Sequence, residues 1–309
     1  MRYKVLLFGL FLFELCGVSA QDFPLKINDK DHLEYPTDKY GNRILDFSYC
    51  GYKNSEKQIP DVPVKIYVNW TKGEQSERIQ RAIDYVSGLK PDNNGIRGAV
   101  LIGKGVFKLN NPLRISKSGV VIRGVNPEET ILLKQGFERG AAVYIEGHKD
   151  LDILDSMNLS SPYVPVNART LDVDDASLLK KGDKVMIVRN STDKWIKSLN
   201  CDIFGGGISA LGWKEGDVDI TWNRIVKSID GNRITIDVPL SMALNKEDSD
   251  VLILKYSCNG IVVNSGVENL SIESSFDVNN KKDEDHCWNG VYLNNASDCW
   301  VRKTFFKHL

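Results

Sequence analysis

Residues 98–134 read GAVLIGKGVFKLNNPLRISKSGVVIRGVNPEETILLK, and this stretch constrains the fold more than any other. Residues 100–102, 106–109, 120–122 and 131–133 are short aliphatic runs, cut by Gly103, Gly105, Asn110-Asn111-Pro112, Gly119 and Gly124. Runs of β-branched and aliphatic residues broken by Gly, Asn and Pro are strands with tight corners. None is long enough for a helix that buries a face, and few of the gaps have the form of a two-residue hairpin turn. Short strands at a near-regular pitch predict a chain coiling round an axis, each coil burying its inward side chains against the next.

The flanking segments divide around that core. Residues 76–89 place Ile79, Ala82, Ile83, Val86 and Leu89 on one helical face, with Ser76 as the expected cap and Glu77 at the positive end of the dipole. Such a helix would plug the open start of a solenoid, where apolar side chains and strand edges are otherwise exposed. Residues 21–75 form a polar arm with turns at Tyr35-Pro36 and Tyr40-Gly41-Asn42. Residues 76–168 begin the coils, with 150–167 reading as irregular. Residues 169–256 change rhythm: strands are expected at 170–173, 184–189, 220–229, 233–238 and 251–256, with Asp230-Gly231 as a hairpin turn. This is an inserted small antiparallel β unit. Its loop 194–216 holds Gly205-Gly206-Gly207, Trp195 and Trp213, the two tryptophans being either a sugar platform or core. The triple glycine does not sit in a strand-to-helix turn, which argues against a phosphate cradle. Coils resume over 257–309, and the chain stops inside an apolar strand-like run, so a C-terminally incomplete solenoid is expected.

Residues 1–20 read as an export signal: Arg2 and Lys4, an apolar stretch, then Val18-Ser19-Ala20 before Gln21. The apolar stretch is too short to span a bilayer, so a secreted or periplasmic location without a membrane span is expected. Removing that segment takes away Arg2, Lys4 and Glu14, leaving 38 basic residues against 40 acidic. A near-neutral chain gives no long-range pull on nucleic acid. Five cysteines remain (Cys50, Cys201, Cys258, Cys287 and Cys299), an odd number with no C-x-x-C pair, which speaks against a structural zinc site.

The richest chemistry lies in residues 277–289, DVNNKKDEDHCWN, where an excess of chain bulges out of a coil. Asp283 and Glu284 are candidate calcium ligands, because a hard cation wants several oxygens. Asp285 can act as acid or base and His286 titrates near neutrality. Trp288 offers a flat face to a sugar ring. The alternative is a solvated acidic loop whose His and Trp anchor it to the coil. Arg302 and His308, on the last strand-like run, either belong to the same site or are exposed strand surface.

Taken with the order 98–102, 105–109, 113–115, the Val120-Val121-Ile122-Arg123-Gly124 turn and 130–133, the chain resembles the pectin-lyase-like right-handed parallel β-helix superfamily. The branch is the rhamnogalacturonase/epimerase-like "pectate lyase" one. Residues 46–52 (DFSYCGY), Asp285-His286-Cys287-Trp288-Asn289 and Trp300-Val301-Arg302 are similar to the same branch. The resemblance implies an all-β right-handed parallel β-helix with an N-terminal capping helix. It also implies a secreted carbohydrate-active enzyme, a lyase or a glycoside hydrolase, with a plant-type or acidic polysaccharide as its partner. On that reading Asp285, His286 and Arg302 are catalytic, and Trp288, Asn289 and His308 contact substrate. The competing expectations are a non-catalytic, adhesin- or tailspike-like glycan-binding solenoid, or an inactive fragment. Departures bear on this: there is no Asn-Thr-Asp or Arg-Ile-Lys tripeptide of the polygalacturonate hydrolases, and Asp174-Asp175 falls in the inserted unit.

Overall fold

The computed structural model describes residues 25–203, 211–280 and 282–309. Residues 1–20, expected to be an export signal, and Gly205-Gly206-Gly207 lie outside the described residues. The chain is mostly β, and its first half is organised by parallel pairing.

Three rows of parallel strands carry the coils. The first row stacks Val64–Val68, Gly98–Ile102, Val120–Gly124, the start of Gly266–Ser274 and the start of Trp300–Lys307. The second stacks Gly105–Leu109, Thr130–Lys134, the end of Gly266–Ser274 and the end of Trp300–Lys307. The third stacks Leu113–Ile115, Ala141–Glu146 and Asn289–Asn294. The chain visits the rows in order and returns to the first one level on. Adjacent parallel strands lie about 4.8 Å apart, so equivalent positions of successive rungs sit directly over one another.

Alternation along each strand sets the core. Val100, Ile102, Phe107, Leu109, Leu113, Ile115, Ile122, Leu132, Val143, Ile145, Val267, Leu270 and Ile272 are all buried in one cluster. Fully burying one such aliphatic or aromatic side chain stabilises by about 1.5–3 kcal/mol. The first row reads as a nearly continuous apolar run because both of its faces are covered. Ala99 and Val121 point the other way, into a second cluster with Val62, Ile96 and Trp300. Gly119, at φ +80°, turns one rung into the next, and a Cβ there would stand 2.1 Å from the Gly95 carbonyl oxygen. Only glycine has both the left-handed freedom and the room.

The helix Ser76–Gly88 closes the first rung, burying Ile79, Ala82, Ile83 and Val86 against the coil interior. Ser76 is its first helical residue rather than the expected cap. Its hydroxyl accepts the Asn111 N–H (3.0 Å), while the Glu74 carboxylate accepts the Ser76 N–H (2.7 Å), so these groups tie the helix to the neighbouring turn.

Between Glu146 and Val262 stands an antiparallel sheet in the strand order Leu151–Asn158, Val251–Cys258, Lys184–Arg189, Ile220–Asp230, Arg233–Ile236 and Thr170–Asp172. Its own core is built on Leu171, Val185, Ile187, Trp222, Val226, Ile234 and Ile253. Asp230 pairs with Arg233 across a tight turn that includes Gly231 at φ +57°. The expectation of irregular structure over 150–167 fails in part: Leu151–Asn158 pairs with Val251–Cys258, Leu151 facing Cys258. The unit therefore leaves and re-enters the coil at one corner, where the His148 N–H donates to the Gly260 carbonyl (3.0 Å). The expected loop 194–216 also contains a helix, Asp193–Ser198, whose Trp195 N–H is capped by the Thr192 hydroxyl (3.2 Å). Trp195 stacks on Trp213 (centroids 6.2 Å apart, 22°), and the Arg189 guanidinium lies 4.2 Å from the Trp195 centroid. Both tryptophans are partly buried, and neither is among the described residues of the unit's apolar core.

No helix among the described residues is long and apolar enough to cross a membrane. The five described cysteines are all free thiols, and burial raises the pKa of Cys287 and Cys299.

Candidate functional site

The loop between strands Gly266–Ser274 and Asn289–Asn294 is built from inside outwards. Cys287 is buried, and its N–H donates to the Ser274 hydroxyl (3.0 Å). The Trp288 and Asn289 N–H groups both donate to the Gly140 carbonyl (3.1 and 3.2 Å), fastening the loop to the previous rung. Asp283 organises the remainder: its two carboxylate oxygens accept the N–H groups of Asp277 (2.7 Å) and Asp285 (3.0 Å). Those two hydrogen bonds, Asp277's first, hold the Asp283 carboxyl below its ordinary pKa.

On the outside, Trp288 is 47% exposed, with its indole N–H donating to the Glu284 carbonyl (2.8 Å). The Arg139 guanidinium stands 5.0 Å from the Trp288 ring centroid. The same group donates to one oxygen of the exposed Asp285 carboxylate, from Nη2 (2.8 Å) and Nε (3.1 Å). The Nδ1 of His286 lies 3.0 Å from the Cys287 carbonyl, an acceptor only, so Nδ1 carries the proton and Nε2 has no hydrogen-bond partner among the described residues. His308 reaches the start of the same loop, its ring tilted 35° against that of Phe276 with centroids 4.3 Å apart.

The structure thus gathers Asp283, Glu284, Asp285, His286, Trp288 and Asn289 on one loop and brings His308 to its edge. Arg302 is placed elsewhere. Its Nε donates to the buried Glu268 carboxylate (2.6 Å), which also accepts from Arg123 and from the Trp300 indole N–H (3.0 Å). Arg123, Glu268 and Arg302 occupy one register position in three successive rungs. Sequence reasoning missed Arg139 and Glu268. Arg139 lies 146 residues from Asp285 in the chain, so no local motif links them. Glu268 was legible only through the repeated aliphatic-then-charged pairs Ile122-Arg123, Val267-Glu268 and Val301-Arg302.

A calcium ion at this loop would have to compete with contacts that its carboxylates already make. That ion takes six to eight oxygens, whereas both Asp283 oxygens already accept backbone N–H groups and Asp285 is paired with Arg139. Among the described residues no group of three or more His, Cys, Asp or Glu stands close enough to hold a metal.

No protein-family model matches the chain, and no curated protein does. Among solved structures it is similar to the Gp54 tailspike of Acinetobacter baumannii bacteriophage AP22, solved in complex with A. baumannii capsular saccharide (14% identity, TM-score 0.39, 72% of this chain and 29% of that one). It is also similar to the Pseudomonas phage phi297 tailspike gp61 (16%, TM-score 0.38, 74% and 30%) and to tailspike gp49 from Pseudomonas phage LKA1 (17%, TM-score 0.37, 71% and 33%). The chain spans about a third of the length of these tailspikes. Similarity at that level carries no functional argument, and the fold described above stands on its own strand register.

Proposed function

We propose that this chain is a right-handed parallel β-helix of pectin-lyase-like type, exported, that binds an acidic polysaccharide at the surface made by Trp288, Arg139 and Asp285. The observation that carries the reading is the Arg139 guanidinium, held against an exposed tryptophan ring while paired to an exposed carboxylate. An indole face takes the C–H side of a pyranose. A guanidinium beside it recognises a carboxylate with directed N–H groups. Exposed ion pairs are worth only about 0–1 kcal/mol, so a uronate can displace Asp285 from Arg139 at small cost.

Cleavage is a second reading, favoured by the His286 ring orientation. With Nδ1 turned to the loop backbone, Nε2 is left to accept a proton. Asp285 is the neighbouring carboxylate. In a lyase the base removes the proton at C5 of a uronate, and the C4–O bond breaks with the leaving oxygen taking up a proton. The C4=C5 double bond of the product absorbs in the near ultraviolet. In a hydrolase two carboxylates act and a new reducing end appears without that absorbance.

The test is a calorimetric titration with a short oligogalacturonate. Wild type is expected to bind, and Trp288→Ala to weaken binding about tenfold or more, as truncation of a tryptophan anchor does. Equal binding by the variant removes this surface from recognition. No binding by wild type sinks the reading.

A further inference from the structure

A second cleft, of about 490 Å³, lies where the N-terminal arm crosses the turn that leads into the first rung. Its volume falls within the range of small-ligand sites. Tyr52 and Asn264 are fixed at its base: the Tyr52 hydroxyl donates to the Asn264 side-chain oxygen (3.0 Å), and the Asn264 amide donates to the Asn94 carbonyl (3.1 Å). Two carboxylates stand on its walls: Asp61, paired with Arg123 (3.0 Å), and Asp92, whose Oδ1 accepts the Asn94 and Ile96 N–H groups (2.8 Å each). Lys57 and Gln58 line it from the arm, and Asn93 lines it from the turn. These last three are exposed, and nothing among the described residues forms a hydrogen bond or ion pair with their side chains.

The arm is held in place on either side of that segment. Lys53 pairs with Asp298 (2.7 Å), Tyr52 meets the Trp300 ring edge-on (centroids 5.6 Å, 86°), and the Pro63 carbonyl accepts the Ala99 N–H (2.9 Å). Between these anchors Lys53, Asn54 and Ser55 all have left-handed backbone angles, φ 52°, 56° and 63°. The left-handed region costs a residue with a side chain roughly 1–2 kcal/mol, and such costs persist only where the surroundings impose the conformation, often at ligand sites. Here the strained turn directly precedes Lys57 and Gln58.

We infer that this cleft is a second saccharide subsite, taking one anionic sugar unit, with the Lys57 ammonium on its carboxylate and the Gln58 and Asn93 amides on its hydroxyls. Side-chain amides offer a donor and an acceptor together, which suits a hydroxyl that does both. Asp61 is paired with Arg123 and Asp92 accepts backbone N–H groups, so the unpaired Lys57 ammonium is the charge left to select an acidic sugar over a neutral one. The inference shares the ligand class of the proposed function but rests on different residues.

The same oligogalacturonate titration tests it, with the double variant Lys57→Ala/Asn93→Ala beside Trp288→Ala. Both substituted side chains are exposed and unpartnered, so unchanged circular dichroism is expected. The double variant is expected to lose about tenfold in affinity, the equivalent of 1.4 kcal/mol, with a smaller loss for an uncharged oligosaccharide of equal length. Wild-type affinity in the double variant overturns this cleft and leaves the Trp288 surface standing. A loss in the double variant with none in Trp288→Ala does the reverse. No binding by wild type overturns both.

Discussion

Glu268→Ala is expected to cost about 3–5 kcal/mol of unfolding free energy, the range for removing one partner of a buried ion pair. The Glu268 side chain is 1% exposed and is wedged between the guanidinium groups of Arg123 and Arg302, with the Trp300 indole as a third donor. Removing the carboxylate leaves two cations one rung either side of a void and strips the indole N–H of its acceptor. Glu268→Gln keeps the volume but not the charge and is expected to be destabilised nearly as much. The pH dependence gives the sign. Burial raises the Glu268 pKa, but the hydrogen bonds from Arg302, Arg123 and Trp300 outweigh it, so the pKa ends below its ordinary 4.5. A depressed carboxylate contributes stability that is fully present above the unfolded-state value and is lost as pH falls through the folded-state value. The gap in urea unfolding between wild type and Glu268→Gln should therefore be widest near neutrality and narrow below pH 4.5. A gap that is small, or flat with pH, contradicts the ladder.

Phe107→Ala is expected to be as damaging, about 3–5 kcal/mol, as for aromatic-to-alanine changes in packed cores. Phe107 is fully buried inside the coil, whereas its neighbour Val106 on the same strand is 42% exposed. Val106→Ala should fall within about 0.5 kcal/mol of wild type, as surface substitutions do. Measured side by side by thermal or urea unfolding, the two variants report which face of the strand Gly105–Leu109 looks inward. Equal effects would mean that the strand does not alternate between core and solvent.

The rungs were legible because glycine, asparagine and proline mark their corners and because aliphatic residues fill the strands between. The helix over the first rung was legible from its 3.6-residue period, ending at Gly88 rather than Leu89. Leu151–Asn158 was not, because its outer positions carry Asp152, Leu154 and Asp155 without an alternating apolar pattern, and pairing with Val251–Cys258 alone makes it a strand. The loop 277–289 announced its chemistry by composition, since Asp, His and Trp crowd together there. Its electrostatics were hidden: Arg139 reaches Asp285 and Trp288 only because Gly140 and Trp288 are neighbours in successive rungs. Arg302 reads in the sequence as either a site residue or exposed strand surface, and the structure instead pairs it with the buried Glu268. A charged side chain on an outward strand position is read as solvated until an in-register partner and a covering arm are known.

Cysteine cross-linking between rungs tests the stacking itself. Tyr144 and Tyr292 are in register on adjacent parallel strands, far apart in sequence, with ring centroids 5.6 Å apart. A strand spacing of about 4.8 Å lies inside the 4.4–6.8 Å Cα separation that a disulfide spans. The double variant Tyr144→Cys/Tyr292→Cys should oxidise to that one bridge, identified by peptide mass mapping. Tyr144→Cys/Leu293→Cys should not, because Leu293 pairs with Ile145 and points to the opposite face. A cross-link in the first pair alone is what stacked parallel rungs require; no link there, or equal linking in both, would contradict them.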